Sequence, residues 1–135
     1  MGKDIRYFQQ RLGGTRVLLV EDEDISRRVV SEILRCVGIE VVTATNGREG
    51  VEAESRERFD AVLMDVVMPE LNGYDATRQI RRKSERAGLP ILAMTAYVGD
   101  DDRRLMREAG MDDLIAKPVD MDTMLEALDR WIGLG

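Results

Sequence analysis

A short apolar run, Ala61-Val62-Leu63-Met64, stops abruptly at one carboxylate, Asp65, and a Pro-containing loop, Met68-Pro69, follows at once. The run has the length of a buried strand, which a fold must cover with other elements. Burying a carboxylate among Val, Leu and Met is costly unless a charge pairs with it. Asp65 is therefore expected at the mouth of the strand, where solvent or a ligand reaches it.

The pattern of apolar strand followed by amphipathic helix recurs along the chain. Strands are expected at Arg16 to Val20, Glu40 to Thr45, Ala61 to Met64, Ile91 to Met94 and Leu114 to Ala116. Asp24 can cap a helix running to Cys36, with Ile25, Val29, Val30, Ile33, Leu34 and Val37 at helical spacing and Gly38 after it. Asn46-Gly47 leads into a polar helix reaching about Arg58, and Asn72-Gly73 precedes one reaching about Arg86. Asp100 to Ala109 is the fourth helix, ended by Gly110, and Met121 to Trp131 the last, with Met124, Leu125, Leu128 and Ile132 on one side. Five strands alternating with five helices imply an α/β fold with a parallel sheet covered on both faces and right-handed crossovers. Residues 1–14 are expected to be an N-terminal leader or linker closed by Gly13-Gly14, in which Tyr7, Phe8 and Leu12 could form one turn of docking helix. The domain then occupies residues 15–135.

Composition narrows the chemistry. A chain of 135 residues suits one domain with its own core. Its net charge of −6 argues against nucleic acid as a main partner and suits an acidic site that collects a cation. Cys36 is the only cysteine, which excludes an internal disulfide and fits a reducing compartment; it reads as a small apolar residue late in its helix. The chain has no histidine, which excludes His-based zinc sites, Ser-His-Asp catalysis and a phosphohistidine of its own. No apolar run approaches the roughly 18 residues of a membrane span, and no signal peptide opens the chain. A cytoplasmic location without membrane association is expected. The basic stretch Arg78, Arg81, Arg82, Lys83 and Arg86 reads as a solvated helix face.

In open parallel sheets, ligands bind outside the carboxyl ends of the strands. The first strand ends in Glu21-Asp22, the third in Asp65, the fourth in Thr95 and the fifth in Lys117-Pro118. Three clustered carboxylates repel one another; at an effective dielectric of 20, a pair 4 Å apart costs about 4 kcal/mol. Either their pKa values rise or a cation enters. An all-oxygen set favours a hard ion, and Mg²⁺ fits ligation by Glu21, Asp22 and Asp65, with the Val67 carbonyl as a further ligand. Lys117 can neutralise a carboxylate and hold an incoming anion, and Thr95 can donate one hydrogen bond. Such a set suits phosphoryl transfer to a carboxylate nucleophile. Asp65 is the preferred nucleophile, because it alone terminates a central apolar strand.

Glu21-Asp22, Asp65 with Met68-Pro69 and Gly73, Thr95-Ala96, and Lys117-Pro118 together resemble the receiver domain of two-component response regulators. The resemblance runs from about Arg16 to Ile132. It implies a flavodoxin-like (βα)5 doubly wound sheet with strand order 2-1-3-4-5. It further implies Mg²⁺-dependent transfer to Asp65 from a phosphohistidine on a histidine kinase or histidine phosphotransfer domain. Thr95 and Lys117 would contact the phosphoryl group, and a cis bond would join Lys117 to Pro118. The stretches Leu19-Val20-Glu21-Asp22, Gly73 to Arg78 and Gly110 to Asp113 are most similar to receivers of hybrid sensor histidine kinases. The switched surface would comprise the Asp100–Ala109 helix, the fifth strand and the last helix. With Gly135 as the last residue, output is expected in a partner protein, in a homodimer or in a longer parent chain.

The chain departs from the family where Leu114 stands in place of a frequent aromatic residue, so a ring switch there is impossible. Val67 and Tyr97 occupy positions that tune phosphoryl lifetime in the family, and apolar Val67 cannot orient an attacking water. An alternative function is a Mg²⁺-dependent aspartate-nucleophile phosphatase of haloacid dehalogenase type. That class typically carries a second acid two residues after the nucleophile, where this chain has Val67.

Overall fold

The computed structural model describes residues 3–68, 71–83 and 88–133. Pro69, Arg86 and the end expected for the helix after Gly73 lie outside them. Strands β1 (Arg16–Val20), β2 (Glu40–Ala44), β3 (Ala61–Asp65), β4 (Ile91–Thr95) and β5 (Asp113–Ala116) form one parallel sheet in the order β2-β1-β3-β4-β5. Helices α1 (Ile5–Leu12), α2 (Asp24–Cys36), α3 (Gly47–Arg56), α4 (Gly73–Lys83), α5 (Asp100–Ala109) and α6 (Met121–Gly133) complete the chain. This is the flavodoxin-like arrangement that the sequence implies.

Alternation along the strands builds two cores. Val17, Leu19, Leu63, Leu92 and Met94 face one side and pack with Phe8 and Leu12 of α1, Val30 and Leu34 of α2, and Met124, Leu125 and Leu128 of α6. Leu18, Val20, Val62, Met64 and Ala93 face the other and pack with Val51, Ile80 and Met106 of α3, α4 and α5. Both faces of the sheet's centre are therefore dry, which is why β1, β3 and β4 read as continuous apolar runs, while the edge strands β2 and β5 stay part-exposed.

Several boundaries depart from the expectations, each for a local reason. Glu23, not Asp24, caps α2: its carboxylate accepts from the N–H groups of Ile25 and Ser26. Helix α3 ends at Arg56, because Glu57 turns extended and residues 57 and 58 are drawn to Arg16. The Arg16 guanidinium donates to the Glu57 carboxylate (2.6 Å) and the Arg58 carbonyl (2.9 Å). Cys36 is exposed, since it lies two residues past the buried Leu34 and so on the far side of α2. Arg81 is not a solvated residue. Its guanidinium donates to the carbonyls of Gly110 (2.9 Å) and Leu89 (2.7 Å) and to Asp112 (2.9 Å), tying α4 to the ends of α5 and to the start of β4.

Residues 5–12 form two turns of helix rather than one. Phe8 and Leu12 are fully buried, and the Tyr7 ring meets Phe8 edge to face at 5.3 Å. The carboxylate of Asp129 on α6 is nearly buried and accepts from Arg11 Nε and from the Tyr7 hydroxyl (3.2 Å). A carboxylate so placed would be costly without these two donors. At the far side of α6, the Trp131 indole N–H donates to Asp113 at the start of β5 (2.8 Å). Phe8→Ala is expected to lower stability by about 3–5 kcal/mol, the usual range for a buried Phe. Urea unfolding measures this, and a loss under about 1 kcal/mol would show that α1 unfolds separately from the sheet.

Candidate functional site

Strand register assembles the polar ends. Val20 pairs with Met64, so Glu21 and Asp65 leave their strands at one level. Asp65 pairs with Met94 and Thr95 with Ala116, which brings Thr95 and Lys117 to the same edge. The ladder continues one step further, with Glu21 N–H donating to Ala44, Val66 N–H to Met94 and Lys117 N–H to Thr95 (3.0, 3.2 and 2.9 Å). Gly73 brings α4 against this edge. A Cβ there would lie 2.3 Å from the Asp65 carbonyl oxygen, so a glycine is required. The peptide bond between Lys117 and Pro118 is cis.

The five residues expected at the strand ends converge. One carboxylate oxygen each from Glu21, Asp22 and Asp65 lie within 4.8 Å of one another. Lys117 Nζ donates to Glu21 (2.6 Å) and sits 3.3 Å from Asp65. An open cleft of about 310 Å³ is lined by these groups together with Val67, Thr95 and Tyr97. The Thr95 hydroxyl is buried and accepts from the Tyr97 N–H (3.0 Å). The Val67 N–H donates to Asp65 Oδ1 (3.3 Å), while its side chain is 59% exposed at the rim.

Asp65 differs from the expectation in one respect. It is the last residue of β3 and only 4% exposed. The required charged partner is Lys117, but that ammonium is shared with Glu21. Burial and, after it, the adjacent Glu21 push the Asp65 carboxyl up, Lys117 only partly offsets them, and the net value is about 7. Burial also opposes ionisation of Glu21, yet the hydrogen bonds from Asp65 and Lys117 hold it below the ordinary carboxylate value. Burial disfavours the charge on Lys117, and its two carboxylate partners more than compensate, raising it. Of this pair, Asp65 is the acid that ionises last.

These observations bear on a metal. The donor set is all oxygen, carries more negative charge than Lys117 neutralises, and has its ligand atoms within one ion's reach. It fits a hard divalent cation. The sequence gives no sign of two further contributors. Arg27 donates to the main-chain carbonyls of Glu21 and Asp22 (3.0 and 3.4 Å). Ile25 and Val29, expected to be core, are 72% and 47% exposed beside the cleft.

Comparison with known proteins agrees with this geometry. Residues 17–129 match the model of the response regulator receiver domain, and the chain belongs to that family. It is 38% identical over 122 residues to the sensor protein GacS of Pseudomonas syringae, covering 88% of this chain but only 14% of that one. It is 35% identical to PilH of Pseudomonas aeruginosa, covering 84% of this chain and 94% of PilH. Among solved structures, the receiver domain of a Pseudomonas aeruginosa sensor histidine kinase, with magnesium in its active-site cleft, superposes with a TM-score of 0.83. It is 40% identical, and the match covers 90% of this chain and 99% of that one. The receiver of Saccharomyces cerevisiae Ssk1, crystallised with the phosphotransfer protein Ypd1, superposes with a TM-score of 0.85 at 27% identity, covering 91% and 92%. The protein is a receiver domain of two-component signalling, similar to those of hybrid sensor kinases, and the phosphatase alternative is not supported. No helix among the described residues is long and apolar enough to cross a membrane.

Asp65 carries a sign prediction. Its folded pKa lies above the unfolded 3.8, so between those values the folded state holds the extra proton and stability falls as pH rises. The penalty is complete above about pH 7. Asp65→Asn in metal-free buffer is therefore expected to stabilise the protein at pH 8 by about 2–4 kcal/mol, and much less at pH 5. Thermal melts at both values measure this; no gain at pH 8 would contradict the raised value.

Proposed function

We propose that this chain is a phosphorylation switch whose acceptor is Asp65, within a domain spanning residues 15–135 to which residues 1–14 are an N-terminal addition. The observation that carries the reading is one buried carboxylate held 3.3 Å from a lysine, beside two further acids, at an open cleft. Glu21, Asp22 and Asp65, with the Val67 carbonyl, would hold Mg²⁺. When bound, the ion supplies charge neutralisation for the oxygens of the transferring phosphoryl group.

The chain's own residues do the rest. Asp65 loses its proton to solvent, its carboxylate oxygen forms the new bond to phosphorus, and the departing ring nitrogen takes up a proton in turn. The bond from phosphorus to the donor's imidazole nitrogen breaks, and its electron pair stays on that ring. Lys117 then bonds a phosphoryl oxygen in place of its contact with Asp65, through a charge-assisted hydrogen bond. The Thr95 hydroxyl, which now accepts from Tyr97, donates to another. Recruiting Thr95 carries the loop before α5 inward, which changes the surface of α5, β5 and α6. Small phosphodonors can replace the protein donor, so the domain catalyses its own modification and its own dephosphorylation without turning over a substrate.

The donor is a histidine kinase or a histidine phosphotransfer domain. The support is the Ypd1 complex of a similar receiver and a groove of about 430 Å³ that opens beside Lys117. Ile25, Val29 and Val119 line it. Ile25 and Val29 extend the apolar stripe of α2 beyond the part the core uses, and an apolar helix face on the donor would cover them. Such an exchange places the domain in the cytoplasm, with the kinase as its partner rather than nucleic acid or membrane. A homodimer through the switched surface is the second route to output.

Two experiments test this reading. Incubation with acetyl phosphate and Mg²⁺ is expected to add one phosphoryl group by intact mass. Asp65→Asn and chelation should each abolish the addition, and labelling of Asp65→Asn would remove Asp65 as acceptor. Separately, the double variant Ile25→Ser, Val29→Ser should slow transfer from a phosphorylated histidine phosphotransfer domain by about tenfold, an interface loss near 1.4 kcal/mol. Its labelling by acetyl phosphate should persist. Equal slowing with both donors would place the defect in the cleft instead of in docking.

A further inference from the structure

Arg27 is badly placed for a surface arginine. It lies in the first turn of α2, where the helix dipole disfavours a cation. It also sits beside an acidic site that would itself collect a cation. Its pairing with Asp24 offers little in return, because that carboxylate is 84% exposed. Yet the Arg27 side chain is largely covered, and it is not among the residues that line the cleft.

Its contacts explain the placement. Nη1 donates to the carbonyl oxygen of Glu21 (3.0 Å) and, at longer range, to that of Asp22 (3.4 Å). Nη2 is held by Asp24, and the Glu49 carboxylate on α3 lies in its field. One planar guanidinium therefore grips both peptide units from which the two acidic side chains leave the turn between β1 and α2. From the strand side, the Glu21 N–H is fixed by Ala44. The main chain of the turn is held at both ends, which fixes where the two side chains start, and the Glu21 carboxylate is then held by Lys117 (2.6 Å) and the Glu23 N–H (3.3 Å).

We propose that Arg27 is a positioning residue for the divalent-cation site: its grip on the Glu21 and Asp22 carbonyls aims their carboxylates at the point shared with Asp65. The proposal rests on the reading of those three acids as the ligands. It differs in sign from the electrostatic expectation. A guanidinium near a bound cation repels it, so by Coulomb's law alone a neutral residue at 27 should tighten Mg²⁺ binding. Positioning makes the opposite demand, since groups that orient metal ligands typically govern affinity by tenfold or more.

The test is calorimetric titration of Mg²⁺ into the intact chain and its Arg27→Met, Arg27→Lys and Asp22→Asn variants. Met keeps the aliphatic stem and removes every donor. Arg27→Met is expected to weaken binding about tenfold, and Arg27→Lys, with a single point donor, by an intermediate factor. The Mg²⁺ concentration giving half-maximal labelling by acetyl phosphate should rise in step, by more than the saturated rate falls; a merely structural defect would lower the saturated rate as well. Parental or tighter Mg²⁺ binding by Arg27→Met overturns the proposal, and if that variant does not fold, parental binding by Arg27→Lys does so. Asp22→Asn separates the two levels. If it binds Mg²⁺ like the parent, the ligand reading has failed and this inference falls with it. If it loses Mg²⁺ while the Arg27 variants bind normally, the Arg27 inference alone has failed.

Discussion

One ammonium reaches two of the three carboxylates clustered at the ends of the strands. Lys117 lies 2.6 Å from Glu21 and 3.3 Å from Asp65, and nothing else in the cleft is cationic among the described residues. Burial and that shortage of positive charge together raise the Asp65 carboxyl and make the cleft receptive to a divalent ion. A second lysine or a core apolar residue would make the fold more stable and the cleft useless. The remaining structure tolerates the imbalance because it is anchored elsewhere. Two apolar layers, the Arg81 tether and the helix-end caps keep the strand ends in place while the site itself is under electrostatic strain.

Much of this was legible in the residues. The central strands β1, β3 and β4, buried nearly throughout, leave continuous apolar runs, the edge strands β2 and β5 show through β-branched content and position, and four of the five strand ends name the site. Asp65 was legible in position but not in environment. β3 runs one residue further than its apolar stretch, which puts the carboxylate inside the ladder rather than beyond it. The partition of Lys117 between two acids depends on residues 96 apart in the chain, and no local pattern encodes it. Arg27 and Arg81 escaped for a related reason. Both act on main-chain carbonyls, which every residue carries, so their partners leave no mark on composition or spacing. The α2 stripe of Ile25, Val29, Val30, Ile33 and Leu34 was read as a single core face, but helical periodicity cannot say where a core stops. The two unclaimed residues are those beside the cleft. Helix α1 shows the converse. Its Phe8 and Leu12 looked peripheral because they precede the first strand, and only the fold reveals the space they fill.

The face made by α5, β5 and α6 carries its own constraint. Leu114 packs partly buried against the layer of α3, α4 and α5 and itself has no ring to turn. The seam between β5 and α6 is instead pinned at Asp113, which receives the Trp131 indole N–H and lies 3.6 Å from Arg130. Trp131 is the only tryptophan in the chain, and Asp113 opens the strand whose opposite end leads to Lys117. The molecule thus contains a built-in optical reporter, remote from the acidic cleft and coupled to the seam by a single polar contact. Its emission reports on the seam at the end of β5 opposite Lys117.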